Sequence, residues 1–112
     1  MRGIEGMRAL GRLPKGKMNK TEEQYAHILE QRKMCGEILW YKFEGMKFML
    51  ADNTSYTPDF CVLMKDGQMQ MHEVKGYWLD DARVKIKVAA AQFPFAFIAV
   101  KKNKGAFEVE EF

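Results

Sequence analysis

The sequence predicts a mixed α/β domain, with a mixed central sheet flanked by helices. Three observations carry that expectation. Tyr25, Ile28 and Leu29, and later Ala82, Ile86, Ala89, Ala90 and Phe93, recur at helical spacing. Between these stretches lie short runs rich in branched and aromatic residues, the pattern of strands. Phe95 to Val100 is apolar throughout, as expected for a strand covered on both faces.

Composition sets the frame. The 112 residues make one domain, and 47% apolar with 29% charged excludes a disordered chain. No apolar run approaches the ~18 residues of a membrane span, and the basic N-terminus lacks the apolar core of a secretory signal. No membrane partner is expected, and the cytoplasm is the expected compartment. Cys35 and Cys61 form no CxxC, so they read as two free thiols in a reducing setting. Two cysteines and two histidines spread along the chain argue against structural zinc. The net charge of +3 is uneven: residues 1–20 carry +5 and the rest −2. Residues 1–18, with Gly3, Gly6, Gly11, Gly16 and Pro14, read as a basic flexible arm, either a solvated tail or a contact for phosphates. Met18 opens the stretch where order begins, so the first 17 residues read as an upstream extension, and 19–112 is the expected domain.

In chain order, Thr21 is the expected helix cap, with Gln24 completing a capping box. Glu22 shares a side with Tyr25, Ala26 and Leu29, whereas Glu23 points with His27 and Glu30 towards solvent. Gly36 ends the helix. Ile38 to Phe43 is the first strand, Glu44-Gly45 a turn, and Lys47 to Ala51 the second strand. Asp52 to Ser55 reads as a polar connection. Tyr56 to Met64 reads as one strand entered through Pro58, and Gln68 to Lys75 as its hairpin partner. A helix from Leu79 or Asp80 to Gln92 follows, capped by Asp80 or Asp81 and stopped by Pro94. Lys101 to Gly105 is a charged turn before an edge strand, Phe107 to Phe112. The nine methionines read most simply as core filler.

The hairpin turn decides which side chains meet. Lys65-Asp66-Gly67 suits a type I turn followed by a left-handed glycine, which places Met64 opposite Gln68. Leu63 then faces Met69, Cys61 faces Met71, and Asp59 faces Glu73. Opposite residues of an antiparallel pair share a face with Cβ atoms about 5 Å apart. Lys75, two residues from Glu73, shares that face too. A two-residue turn at Asp66-Gly67 would instead put Asp59 opposite Val74 and separate the carboxylates.

Two carboxylates and an ammonium in an apolar setting are costly, and chains that place them there usually use them for chemistry. Hard divalent cations want oxygen ligands. Asp59 and Glu73 supply two, the Val74 carbonyl a third, and Glu22 can reach in from the helix. A magnesium ion so held, with manganese as a substitute, polarises a phosphoryl oxygen and lowers the pKa of bound water. Lys75 can orient or deprotonate that water, or neutralise charge developing on phosphorus.

Pro58-Asp59 followed by Glu73-Val74-Lys75 resembles the PD-(D/E)xK nuclease superfamily. More closely, Lys20-Thr21-Glu22, Tyr56-Thr57-Pro58-Asp59-Phe60 and His72-Glu73-Val74-Lys75-Gly76 are similar to a small phage and prophage family of uncharacterised domains. Those are related to phage endonuclease I, a junction-resolving enzyme. The resemblance covers residues 18–112. It implies a restriction-endonuclease-like α-β-β-β-α-β core and a metal-dependent endonuclease acting on DNA, including branched DNA, in the cytoplasm of a bacterial host. It implies Glu22 as the helix-one acidic residue, Asp59 and Glu73 as metal ligands, and Lys75 as catalytic partner. A homodimer is the assembly it suggests, although no long swapping segment is visible. A silent nucleic-acid-binding module on the same fold, or a small phage interaction protein, is the alternative. Lys20, Arg83, Lys87 and Trp78 are candidate nucleic-acid contacts, the lysines and arginine for phosphates and Trp78, beside Tyr77, for base stacking. Solvated helix faces and core cover explain the same residues. His72 reads as strand surface or a substrate contact, not a ligand.

Overall fold

The structure, a computed structural model, describes residues 16–76 and 80–112. Residues 1–15 of the expected arm, the Tyr77–Trp78 pair, Leu79 of the helical stripe and the Asp80 capping side chain lie outside the described residues.

The chain forms α1 (Lys20–Met34), β1 (Ile38–Phe43), β2 (Phe48–Ala51), β3 (Thr54–Tyr56), β4 (Phe60–Met64), β5 (Met69–Lys75), α2 (Asp80–Gln92), β6 (Ala96–Asn103) and β7 (Ala106–Glu111). Five strands make one mixed sheet in the order β1-β4-β5-β6-β7, and β2-β3 is a separate two-stranded hairpin. Only β5 and β6 run parallel, joined by α2; the other neighbours are antiparallel. The mixed α/β class is as expected from the sequence. No described helix is long and apolar enough to cross a membrane.

The central position of β5 explains its burial. One sheet face packs on α1 through Tyr25, Leu29, Ile38, Phe60, Val62, Val74, Ile98 and Val100. The other packs on α2 and the small hairpin through Phe48, Tyr56, Cys61, Met71, Ile86, Ala89 and Phe97. Phe60 anchors the first core, with Tyr25 edge-on at 5.7 Å and Phe43 at 5.3 Å between ring centroids. Phe48 brings the hairpin into the second core, 4.7 Å from Phe93 and 5.4 Å from Phe97. Lys85 Nζ to the Ser55 carbonyl (3.2 Å) and Gln92 Nε2 to the Leu50 carbonyl (3.3 Å) tie α2 to that hairpin.

Several boundaries differ from the sequence expectation, each for a physical reason. Asn19, not Thr21, caps α1: its side chain accepts the Glu22 N–H, and Glu22 Oε1 accepts the Asn19 N–H, both at 2.8 Å. An ionised carboxylate at the third helical position is a stronger acceptor than the Gln24 amide, and the helix dipole favours it. The expected strand from Tyr56 to Met64 is two strands, β3 and β4, broken at Thr57-Pro58-Asp59. Proline has no N–H for a ladder and restricts the residue before it. Thr54 and Ser55 belong to β3, so the polar connection shrinks to Asp52-Asn53. β6 runs on to Asn103, so the charged turn is Lys104-Gly105 alone. His72 is not strand surface but 2% exposed. Met71 fills core, but Met34 and Met49 are exposed, so the methionines are not uniformly core filler. Among the described residues both cysteines are free, Cys35 exposed and Cys61 buried.

Candidate functional site

The turn after β4 sets the geometry of the site. Met64 N–H donates to the Gln68 carbonyl at 2.8 Å, and Gly67, at φ +90°, closes the loop with its N–H on the Met64 carbonyl at 2.9 Å. The ladder runs Leu63↔Met69, Val62↔Gln70, Cys61↔Met71 and Phe60↔His72. The ladder ends there, and Asp59 and Glu73 are the residues that adjoin Phe60 and His72 at that end. The expected three-residue turn and its register from Leu63 to Phe60 are therefore present, and the two-residue alternative is not; Asp59 lies one residue beyond the ladder.

Local structure then fixes each carboxylate. Asp59 follows Pro58 at the break between β3 and β4, and its carbonyl accepts the Glu44 N–H at 2.7 Å. Asp59 Oδ2 accepts the Val74 N–H at 2.8 Å. No described donor reaches Oδ1, and no buried side-chain oxygen is left without a partner, so Oδ1 meets solvent. Glu73 is 7% exposed. Its Oε1 accepts the Tyr56 hydroxyl at 2.7 Å, and its Oε2 lies 3.2 Å from Lys75 Nζ. Glu22 and Lys75 line one cleft of about 260 Å³ together with Asn19, Thr21, Val74, Gly76 and Ala82. Asp59, Glu73, Lys75 and Glu22 thus gather at one end of the sheet. One Glu22 oxygen is already engaged in the helix cap.

The electrostatics show strain. Burial, then the Glu73 charge, pushes Asp59 up to about 8; the Val74 N–H and Lys75 oppose this, and Glu22 adds to it. Burial also raises Glu73, against the pull of Lys75, the Tyr56 hydroxyl and the Asp59 N–H. Burial works against the Lys75 ammonium, but Glu73 and Asp59 outweigh it and hold its pKa above the usual value. Burial pushes both carboxylates towards the protonated form, for Asp59 with the Glu73 charge added, and one lysine leaves a surplus of negative charge when both are ionised.

A divalent cation suits that surplus. Among the described residues no three His, Cys, Asp or Glu side chains converge to hold an ion. The donor set is two carboxylates and the Val74 carbonyl, all hard oxygens. It fits magnesium, which binds through one or two carboxylates and retains several waters.

The sheet's other face holds a neutral network. His72 Nδ1 lies 2.7 Å from the Tyr25 hydroxyl, and Nε2 lies 2.9 Å from Gln70 Oε1. Burial, then Arg32, lowers His72 to about 4. His72 is a structural residue behind Glu73, pointing to the opposite face. Arg83 is drawn away from the site: it grips Glu110 with two hydrogen bonds, at 3.0 and 2.7 Å, and lies 5.3 Å from the Phe112 ring centre. Lys87 is exposed beside Arg83, and Lys20 is exposed at the start of α1. Tyr56 is the member of this cluster to which the sequence assigns no role. Its signal was position, just ahead of Thr57-Pro58-Asp59.

Comparison with protein-family models, with curated proteins and with solved structures finds no match to this chain. The functional reading therefore rests on the geometry above and on the motif resemblance.

Proposed function

We propose that this protein is a magnesium-dependent endonuclease that hydrolyses DNA phosphodiester bonds. One observation carries the reading. The hairpin register brings two charge-strained carboxylates, buried Glu73 and half-buried Asp59, to the end of the β4–β5 ladder, with an ammonium at 3.2 Å from one of them. A structural ion pair needs one acid and one base. A second carboxylate, half-buried and pushed towards its protonated form, is a liability to the fold and an asset to a cation site.

The residues divide the work. Asp59, Glu73 and the Val74 carbonyl hold the cation, which when bound supplies Lewis acidity and an acidified water. Tyr56 and the Val74 N–H each occupy one carboxylate oxygen and so fix how the other is presented. Lys75 Nζ stands beside Glu73, where it can orient the attacking water and offset charge that builds on the phosphoryl oxygens. Glu22 closes the cleft from α1 and adds negative potential that favours the cation. Branched DNA is the substrate form the motif resemblance suggests, and DNA metabolism of a phage the setting.

The test is cleavage of plasmid, single-stranded and four-way-junction DNA with Mg²⁺ or Mn²⁺, beside Lys75→Ala. Wild type is expected to cut at least one substrate in a metal-dependent way, and Lys75→Ala to lose about 10²-fold or more, the scale of one group acting on transition-state charge. A wild type that leaves all three intact, while Asp59→Ala binds DNA equally well, would instead establish a silent binding module.

A further inference from the structure

We propose that the β6–β7 hairpin is a phosphate track that seats one strand of duplex DNA and leads it to the carboxylate pair. The inference rests on the nuclease reading and names residues it does not contain. Lys101 pairs in register with Lys75 across the parallel β5–β6 ladder, so both ammonium groups leave the same face at the same level of the sheet. The hairpin then runs past the end of β5. Its tip residue Lys104 lies three residues beyond Lys101, about 10 Å at ~3.3 Å per residue. Measured along the duplex axis, that reach matches the rise of about three phosphates of one strand, at ~3.4 Å each. Lys102, between them, turns to the α1 side and donates to Gln24 Oε1, which ties the hairpin to the helix that begins at exposed Lys20.

Two further facts mark these lysines as available. Among the described residues, no carboxylate forms an ion pair with Lys101 or Lys104. Glu108, the register partner of Lys101, accepts Asn103 Nδ2 through one oxygen at 2.9 Å and keeps its charge, but forms no ion pair with Lys101 among the described residues. The tip itself also stands out. Lys104 at φ +51° and Gly105 at φ +84° form a two-residue loop between Asn103 and Ala106, the signature of a type I′ turn. That turn favours asparagine at its first position, and a lysine there holds a sparsely populated backbone conformation. Such strain gathers at functional positions, and here it sets an ammonium on the outermost point of the sheet's active end.

The strained tip also supplies the test. Lys104→Asn restores the favoured Asn-Gly turn and removes the charge, so it is expected to melt no lower than wild type yet bind DNA more weakly. Binding of a short labelled duplex is measured in EDTA across a potassium chloride series, for wild type, Lys104→Asn, Lys101→Gln, the double variant, and Lys65→Gln at the opposite end of the sheet. Each track lysine removed should lower affinity roughly five- to tenfold near 0.1 M salt and reduce the log–log salt slope by about 0.9. Lys65→Gln should match wild type. A double variant with the wild-type slope overturns the track, as does a wild type that binds no duplex, or one that binds an RNA duplex more tightly. Cleavage by wild type with lysine-independent binding sinks the track alone; lysine-dependent binding without cleavage sinks the nuclease reading alone.

Discussion

Tyr56 holds Glu73 from outside the hairpin that carries it. Its hydroxyl is buried and sits 2.7 Å from Glu73 Oε1, and burial, followed by the Glu73 charge, raises its pKa beyond the ordinary phenolic range. It therefore stays a donor at any working pH. Tyr56→Phe keeps the ring in the second core and deletes only that donor. Lost hydrogen bonds to charged groups cost about 1.5–3 kcal/mol, and lost support of a metal ligand about 10–100-fold in metal affinity. Weaker Mn²⁺ binding by calorimetry with a modest fall in melting temperature is the expected pair of results; unchanged Mn²⁺ affinity would reduce Tyr56 to packing. The sequence hid this residue because a tyrosine two positions ahead of a proline reads as strand or turn, and nothing local says which carboxylate its hydroxyl reaches. His72 was misread for a related reason. Alternation places His72 and Glu73 on opposite faces, but it does not say that both faces are covered. In a strand with two neighbours and a layer on each side, both are buried.

At the scale of elements, the turn was the most legible feature. Loop length and a glycine at the third position fix the register, and the register fixes the site, because a slip of one residue sends every side chain to the other face. Gly67 has φ +90° and nothing within 4 Å of where a Cβ would stand, so an alanine there meets a backbone penalty and no clash. Gly76, the glycine beside Lys75, has the same open space and no left-handed φ. Gly67→Ala is thus expected to cost about 1 kcal/mol, whereas Gly76→Ala should be neutral or slightly stabilising. Urea unfolding of the two variants distinguishes them; equal losses would mean that the turn does not hold the register by its left-handed residue. The break between β3 and β4 was harder to see. Pro58 donates no ladder bond, yet Tyr56 ahead of it and the apolar run from Phe60 to Met64 behind it read together as one strand. Tertiary contact decided otherwise: β3 pairs back onto β2 and packs on α2, and the break gives Asp59 its place at the head of β4. The α1 cap moved by two residues because Asn19-Lys20-Thr21-Glu22 and Thr21-Glu22-Glu23-Gln24 both carry the box pattern, and only the first places a charged acceptor at its end.

At the scale of the molecule, the two faces of β5 respond to pH with opposite signs. His72 falls from 6.5 to about 4 in the fold, so its contribution is present above pH 6.5 and is lost as pH drops towards 4. Asp59 rises from 3.8 to about 8, so its contribution is present below pH 3.8 and is lost as pH climbs towards 8. Glu73 is raised as well and adds to the Asp59 trend. Between about pH 4 and 6.5 the histidine and carboxylate slopes oppose one another. Above 6.5 only the carboxylates remain, and the metal-free protein should lose stability steadily up to pH 8, at no more than about 1.4 kcal/mol per pH unit for each proton released. A cation that binds only the folded site stabilises it by mass action and should offset that loss. Urea midpoints at pH 6.5 and 8 check this: lower at pH 8 in EDTA, level in saturating Mg²⁺. Asp59→Asn removes the most shifted charge, so its midpoint should be nearly flat across the range, above wild type at pH 8, and indifferent to Mg²⁺. Equal wild-type midpoints at the two pH values would mean that solvent already relieves the pair. The cation site would then lose its energetic rationale, because the repulsion a bound ion offsets would not exist.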